Sequence, residues 1–324
     1  MHHSLRITTP SRLHFGLLRF TNSKGPSYGG LGMMVANPRV VIELQPGNRW
    51  QANGPMAGQA IGYARKISQS WNLSPRMAFD IHILEAPPTH AGLGSGTQLA
   101  LAIASGIRSI VEHHDRDLWA LVDAVERGQR SAVGSHGFDQ GGLLWETGYL
   151  PNQNLGRLKC RLSVPESWRM VLITPNHPPG LHGASETAAF EKLKPVSDAI
   201  TSQLQHLAEE IILPAVRNEN HEAFAEGLFQ YGQLAGSAFE SIQDGPYASP
   251  QIAACIEQIR MLGIPGVGQS SWGPTLFACC ANQEKADQLA GQVSQLEEFM
   301  DANISISPPD NQGATLLKMA CSET

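Results

Sequence analysis

PPTHAGLGSGTQLALAIASGI, running from Pro87 to Ile107, is the stretch on which the reading of the fold turns. Gly92, Gly94, Ser95 and Gly96 carry little or no side chain, so the backbone can turn tightly there and approach a ligand closely. Ser95 and Thr97 add hydroxyls to the same loop. The Ala-rich run that follows predicts a helix whose free N–H groups and positive dipole end face any anion held in the loop. MAFDIHILEAP, just upstream, sets Phe79, Ile81 and Ile83 in alternation and predicts a strand feeding into the loop. Taken alone, such a loop is equally compatible with a plain turn.

Two further glycine-rich loops flank this one. GPSYGGLG carries Gly29 and Gly30 ahead of a strand from Arg39 to Leu44, and GVGQSSWGPT carries Gln269, Ser270, Ser271 and Trp272. Three such loops are expected to converge on one cleft. LRITTPSRLHFGLLRF reads as a strand, a bend at Pro10 and a second strand, which puts Arg12 and His14 on one face. That pair could serve a site, or be a solvated Arg beside a hydrogen-bonded His.

Asp117 caps a helix in DLWALVDAVERGQ, and RSAVGSHGFDQGG reads as a glycine-flanked turn that holds Ser135, His136 and Asp139 and leads to a strand from Leu143 to Trp145. The polar run PNQNLGRLKC sets a domain boundary near residue 160, giving domains 1–160 and 161–324. In the second domain RMVLITP is a continuously apolar strand, followed by a loop with His177, His182 and Glu186, where a carboxylate at a helix start is favoured by the dipole alone. Two amphipathic helices come next. The remainder reads helix (Gln251 to Leu262), strand (Thr275 to Ala281), helix (Gln283 to Phe299) and strand (Ile304 to Ser307), an α+β pattern.

Composition narrows the function. The 324 residues are 42% hydrophobic and 16% charged, as in a folded chain, and a net charge of −6 argues against a broad nucleic-acid or anionic-membrane surface. No apolar run is long enough to span a bilayer, and the N-terminus lacks a signal-peptide core, so a cytoplasmic location is expected. Cys160, Cys255, Cys279, Cys280 and Cys321 are odd in number and lack CxxC spacing, which suggests neither a disulfide framework nor a zinc site.

Together PSRLHFGLL, PPTHAGLGSGTQ and GQSSWGPT resemble the three motifs of the superfamily of galacto-, homoserine, mevalonate and phosphomevalonate (GHMP) kinases, and the match spans nearly the whole chain. Pro88 to Ser95 fits the superfamily's Pro-x-x-x-Gly-Leu-Gly-Ser, but Gly96 and Thr97 stand where the kinases carry Ser and Ala. The variants GLGSGTQ and GQSSWGPT, with YGGLG and GLHGASE, resemble the β-ribofuranosylaminobenzene 5'-phosphate synthase branch of methanopterin biosynthesis.

That resemblance implies an N-terminal ribosomal-protein-S5-domain-2-like domain bearing the phosphate loop and a C-terminal ferredoxin-like α/β sandwich. It also implies a decarboxylating C-ribosyl transfer from phosphoribosyl pyrophosphate to 4-aminobenzoate or 4-hydroxybenzoate, with release of CO2 and pyrophosphate. The expected site has a loop cradle of Gly92, Gly94, Ser95, Gly96 and Thr97, with Mg²⁺ neutralising the pyrophosphate. Arg12 serves as an anion clamp, and Glu186 or Asp139 faces the ribosyl cation or works as acid/base. Trp272 walls the arene, while Gln98, Gln269, Ser270, Ser271, His14, His182, Gly29 and Gly30 complete the binding surface. A homodimer is expected, with no organic cofactor. The rival expectations are an ATP-dependent small-molecule kinase with Asp139 as base, and a non-catalytic sugar-phosphate-binding protein.

Overall fold

The computed structural model describes residues 4–20, 26–111, 117–150, 153, 155–175, 193, 195–243 and 245–319. His177, His182, Ser185, Glu186 and Cys321 lie outside the described residues.

The first sheet is built around two long antiparallel strands, β1 (Ser4–Leu17) and β2 (Gly30–Gly47). The sequence predicts a bend at Pro10 between two strands, but β1 runs through it as one strand. A register shift between Thr9 and Ser11 absorbs the missing N–H, a position where a strand tolerates proline. The uninterrupted register from Ser11 to His14 keeps Arg12 and His14 on one face.

β2 is long enough for two partners. Its Val41–Gly47 end pairs with β4 (Ala78–Glu85), which carries the short parallel strand β3 (Gln51–Asn53). Its Gly30–Met33 end pairs with β5 (Leu143–Glu146), and β6 (Leu158–Leu162) extends that arm. β11 (Thr315–Met319) closes the other edge against β1, making seven strands. The expected split at residue 160 therefore needs correction: β6 runs across it, and the C-terminal strand returns to the first sheet. In the second sheet, β7 (Arg169–Thr174) pairs with β9 (Leu276–Cys280), flanked by β8 (Val267–Gln269) and β10 (Asn303–Ser307).

Helices α1 (Ala57–Ser70), α2 (Ser95–Ile110) and α3 (Leu118–Val125) cover one face of the first sheet, burying Ala64, Leu101 and Val122 against Ile7, Ile42 and Ile81. Asp117 caps α3 as its sequence suggests, its carboxylate accepting from Trp119 N at 3.0 Å. The Gly134–Gly142 region is not a turn. Val133–Gln140 forms a fourth helix, α4, whose Gly137 sits so close to Met34 that a Cβ there would lie 2.2 Å from its sulfur.

The opposite face meets the second sheet through α5 (Asp198–His206), a π-helical stretch (Leu207–Ile212), α6 (Leu213–Arg217) and α7 (His221–Ser237). That shared core holds Leu13, Phe15, Trp145, Phe224, Tyr231 and Phe277. Past the short α8 (Glu240–Gln243), α9 (Pro250–Met261) and α10 (Gln283–Val293) cover the far side of the second sheet. β7 sends Met170 and Leu172 to the shared core and Val171 and Ile173 to the outer one, which explains its unbroken apolar run. Both domains are thus mixed α and β, as the motifs imply.

Candidate active site

Two of the three glycine-rich loops meet, those around Gly92 and Gly273, with β1 as the third member of the junction; the loop at Gly29 and Gly30 backs β1 instead, Gly30 facing His14. Arg12 N donates to Leu93 O at 2.9 Å, and Ser271 N donates to His14 O at 3.0 Å. Ser270 Oγ, fully buried, accepts from His14 N at 3.1 Å and donates to Gly92 O at 2.7 Å. One serine hydroxyl therefore pins all three segments. Gly92 and Gly273 permit the contact: a Cβ on Gly92 would lie 2.2 Å from Ser270 O, and one on Gly273 2.2 Å from Gly92 N. Gly94, left-handed at φ 73°, caps α2, and the Arg12 side chain lies across it.

Beside this junction opens a cavity of about 280 Å³. Its lining is cationic and polar at Arg12, Arg127, Arg130, His14, Ser131 and Thr97. It is aromatic at Trp272, Phe239, Tyr247 and Phe277. Trp272 packs edge-on against Phe239, with ring centroids 5.1 Å apart, and Phe239 against Phe20 at 4.8 Å. Arg127 is held by a hydrogen bond to the Tyr63 hydroxyl and lies 5.1 Å from that ring's centroid. The carboxylate on the lining, Glu126, is paired with Lys66.

Behind the polar lining runs a hydrogen-bonded chain. His14 Nε2 lies 3.0 Å from Ser131 Oγ, which donates to Glu146 Oε1 at 2.6 Å, and Ala132 N donates to the same oxygen at 2.7 Å. Gly30 makes room for the imidazole, since a Cβ there would come within 3.2 Å of Nε2. Glu146 is fully buried, and its Oε2 has no hydrogen-bond partner among the described residues. Burial pushes its carboxyl up to about 7 against the pull of Ser131, two backbone N–H groups and the Arg12 charge. Burial and the Arg12 charge push His14 the other way, well below its usual value.

Raising a carboxyl on folding makes the native state bind the extra proton. The stability Glu146 contributes is present below its unfolded value of 4.5 and is lost as pH rises through about 7. Glu146→Gln removes that dependence. Its stability relative to wild type is expected to improve by roughly 3 kcal/mol between pH 4 and pH 8 in paired urea titrations.

Of the residues expected from sequence, Arg12, His14, Thr97, Gln269, Ser271 and Trp272 line the cavity. Gln269 is spoken for, its amide donating to Gly273 O and accepting from Ala248 N. Gly92, Gly94 and Ser270 shape the junction behind it and Gly30 faces His14, whereas Gly29 packs on Thr147 and Gly148, Gly96 faces Tyr63 and Arg127, and Ser95 is the buried first residue of α2. Gln98 is corrected: it is fully buried and donates to Gly134 O at 2.8 Å, so it braces α2 against α4. Asp139 is corrected too: it is exposed near the end of α4, accepts from Gln140 and is not on the lining.

Arg127, Arg130, Ser131 and Glu146 were not anticipated. The first three sit between α3 and α4, in a segment read as the end of a helix and the start of a turn. The described residues contain no group of three or more His, Cys, Asp or Glu able to hold a metal ion. Arginines stand where a protein-held magnesium site would place carboxylates.

The GHMP kinases N terminal domain matches residues 59–145, spanning α1, the Gly92–Thr97 loop, α4 and most of β5, and the GHMP kinases C terminal matches residues 212–297. The chain belongs to the GHMP kinase family. This GHMP protein is 27% identical to the β-ribofuranosylphenol 5'-phosphate synthase of Methanothermobacter thermautotrophicus, over 97% of this chain and 99% of that one. It is 29% identical to the synthase of the same name from Archaeoglobus fulgidus, over 85% and 87%. Among solved structures, homoserine kinase from Cytophaga hutchinsonii superposes with a TM-score of 0.66 at 15% identity, covering 97% of each chain. Mevalonate pyrophosphate decarboxylase from Streptococcus pyogenes gives 0.68 at 12% identity, covering 95% of this chain and 97% of that one. These two likenesses concern the fold.

Proposed function

We propose that this GHMP protein is a pentosyltransferase that joins the ribosyl group of phosphoribosyl pyrophosphate to the carboxyl-bearing carbon of 4-hydroxybenzoate. The products are the ribofuranosylphenol 5'-phosphate, CO2 and pyrophosphate. The observation that carries this reading is a cavity lined by both three arginines and several aromatic rings. Its substrates need both: one carries a pyrophosphate and a 5'-phosphate, the other a carboxylate on a flat ring. The name of the archaeal relatives favours the phenol over the aniline as product.

Departure of pyrophosphate leaves a ribosyl centre with oxocarbenium character. Planar guanidinium groups at Arg12, Arg127 and Arg130 would stabilise the charge building on the leaving group, in a site already organised for it. The arene, held against Trp272, attacks through its ipso carbon. Loss of CO2 then restores aromaticity, with the carbon–carboxylate bonding pair returning to the ring. Magnesium would enter with the pyrophosphate and neutralise part of its charge. A homodimer, which rests on the family resemblance, and a cytoplasmic location complete the reading. Among the described residues no helix is long and apolar enough to cross a membrane.

The test is release of labelled CO2 from carboxyl-labelled 4-hydroxybenzoate, dependent on phosphoribosyl pyrophosphate and matched by equal pyrophosphate. Phosphoryl transfer from ATP to a small alcohol, without CO2, would make the protein a kinase. Binding without turnover would make it a sensor. Trp272→Ala is expected to raise the KM for the benzoate about tenfold while leaving that for the ribosyl donor within about twofold, since aromatic contacts contribute about 0.5–1.5 kcal/mol beyond area burial.

A further inference from the structure

We propose that Glu146, acting through Ser131 and His14, takes the proton of the acceptor's 4-hydroxyl while the carbon–carbon bond forms and returns it once CO2 has left. This rests on the ribosyl-transfer reading above and adds to it a proton acceptor that the overall stoichiometry hides, because the proton is only borrowed.

The chain has the right ends. His14 and Ser131 line the cavity, whereas Glu146 is sealed behind them. An ionised carboxylate only accepts, so Ser131 gives its proton to Glu146 Oε1, and its oxygen in turn takes the N–H of His14 Nε2. With Nε2 so occupied, Nδ1 carries the lone pair that can meet a hydroxyl in the cavity. A proton entering at Nδ1 sends the Nε2 proton to Ser131 and the serine proton to Glu146. His14 is neutral before and after, and the only net change is a carboxylate becoming a carboxylic acid.

The groups around the chain favour this division of labour. Facing Glu146 are Arg12 from β1, Tyr231 from α7, Tyr149, and the N–H groups of Ala132 and Val133. Both tyrosines are held neutral, Tyr231 by burial above all, and Gly156 packs so tightly that a Cβ there would lie 2.0 Å from Glu146 Oε2. Arg12 and burial together disfavour an imidazolium at His14, so a proton arriving there is passed on.

A carboxyl near 7 lies between the two acidities it must bridge. As the ipso carbon bonds to ribose, electron density drains from the 4-oxygen and its hydroxyl becomes that of a protonated dienone, far stronger than the resting phenol. After the carboxylate leaves as CO2, the product is a phenolate of conjugate-acid pKa about 10, which takes the proton back. Uptake and return are therefore both downhill.

The experiment compares wild type and Glu146→Gln in CO2 release from 4-hydroxybenzoate and from 3,5-difluoro-4-hydroxybenzoate, whose phenol is already ionised at neutral pH. With the first acceptor the variant should lose about 100-fold in kcat, the usual scale of acid–base catalysis, with KM little changed. With the second the loss should shrink to less than about 10-fold. The variant's rate on 4-hydroxybenzoate should climb with pH toward the phenol's own ionisation, where wild type levels off above about 7. Equal losses on both acceptors with an unchanged pH profile would show a merely structural role and overturn the relay, as would no loss at all. If Glu146→Gln does not fold, Ser131→Ala interrupts the same chain and must show the same rescue. Absence of CO2 from wild type with either acceptor overturns the ribosyl-transfer reading itself, and the relay with it.

Discussion

Gly92→Ala is expected to abolish turnover and to destabilise the protein by about 3 kcal/mol or more, read as a fall in the urea midpoint. Two independent effects coincide at this residue. Its φ of +85° lies in the left-handed region, which costs an L side chain roughly 1–2 kcal/mol. The added methyl would also lie 2.2 Å from Ser270 O, a backbone atom that cannot swing away as a side-chain tip could. Ser270 is held on every side: its N–H donates to Thr275 O at 3.0 Å, and its hydroxyl joins His14 N to Gly92 O. Relieving the clash means separating the loop before α2 from the loop before β9, and with it displacing Arg12 and His14 from the cavity wall. Gly96→Ala is the control. Its methyl would meet nothing nearer than the Tyr63 hydroxyl at 3.3 Å, and its φ is not positive, so the variant should fold with a stability within about 1 kcal/mol of wild type.

This contrast shows what the glycines in the sequence could and could not reveal. Their clustering in three loops predicts a backbone meeting point, and the loops around Gly92 and Gly273 do meet, with β1 and not the Gly29 loop as the third partner. But Gly92 and Gly273 are small for the sake of each other's backbone, and a motif reading assigns such residues to a ligand by default. The same limit hid Glu146. LLWE announces a short strand, yet only the pairing of β5 between β2 and β6 buries its last residue, and nothing local distinguishes that carboxylate from an ordinary exposed one. Asp139 shows the opposite case: an Asp beside glycines is compatible with an acid/base role or with a surface position, and α4 leaves it exposed while Gly134 faces the loop. Arg12 and His14 were legible because two residues apart on a strand is a geometric statement that survives any tertiary arrangement. The β11 return was not, since TLLKM could pair with any open edge.

Arg12→Ala carries the other large effect, an expected fall in kcat/KM of about a thousandfold with little change in fold stability. Two charge-assisted hydrogen bonds to a phosphate or carboxylate contribute about 1.5–3 kcal/mol each, and each factor of ten in rate corresponds to 1.36 kcal/mol. The loss should appear with every acceptor, including the difluorinated one, because it concerns the ribosyl donor and its leaving group and not the phenol's proton. Arg12 also acts on the relay through its charge, holding down both His14 and Glu146. Removing it must let both rise, so the residual activity of Arg12→Ala should reach its plateau at a higher pH than wild type. Arg12→Lys separates the two effects. It keeps the positive charge, and hence the position of the plateau, but loses the planar fork that grips an anion at two points. A lysine variant with both the wild-type rate and the wild-type profile would show that Arg12 supplies charge alone. One that is slow with an unshifted profile would establish that the guanidinium's geometry, lying across Gly94 at the start of α2, is what the donor needs.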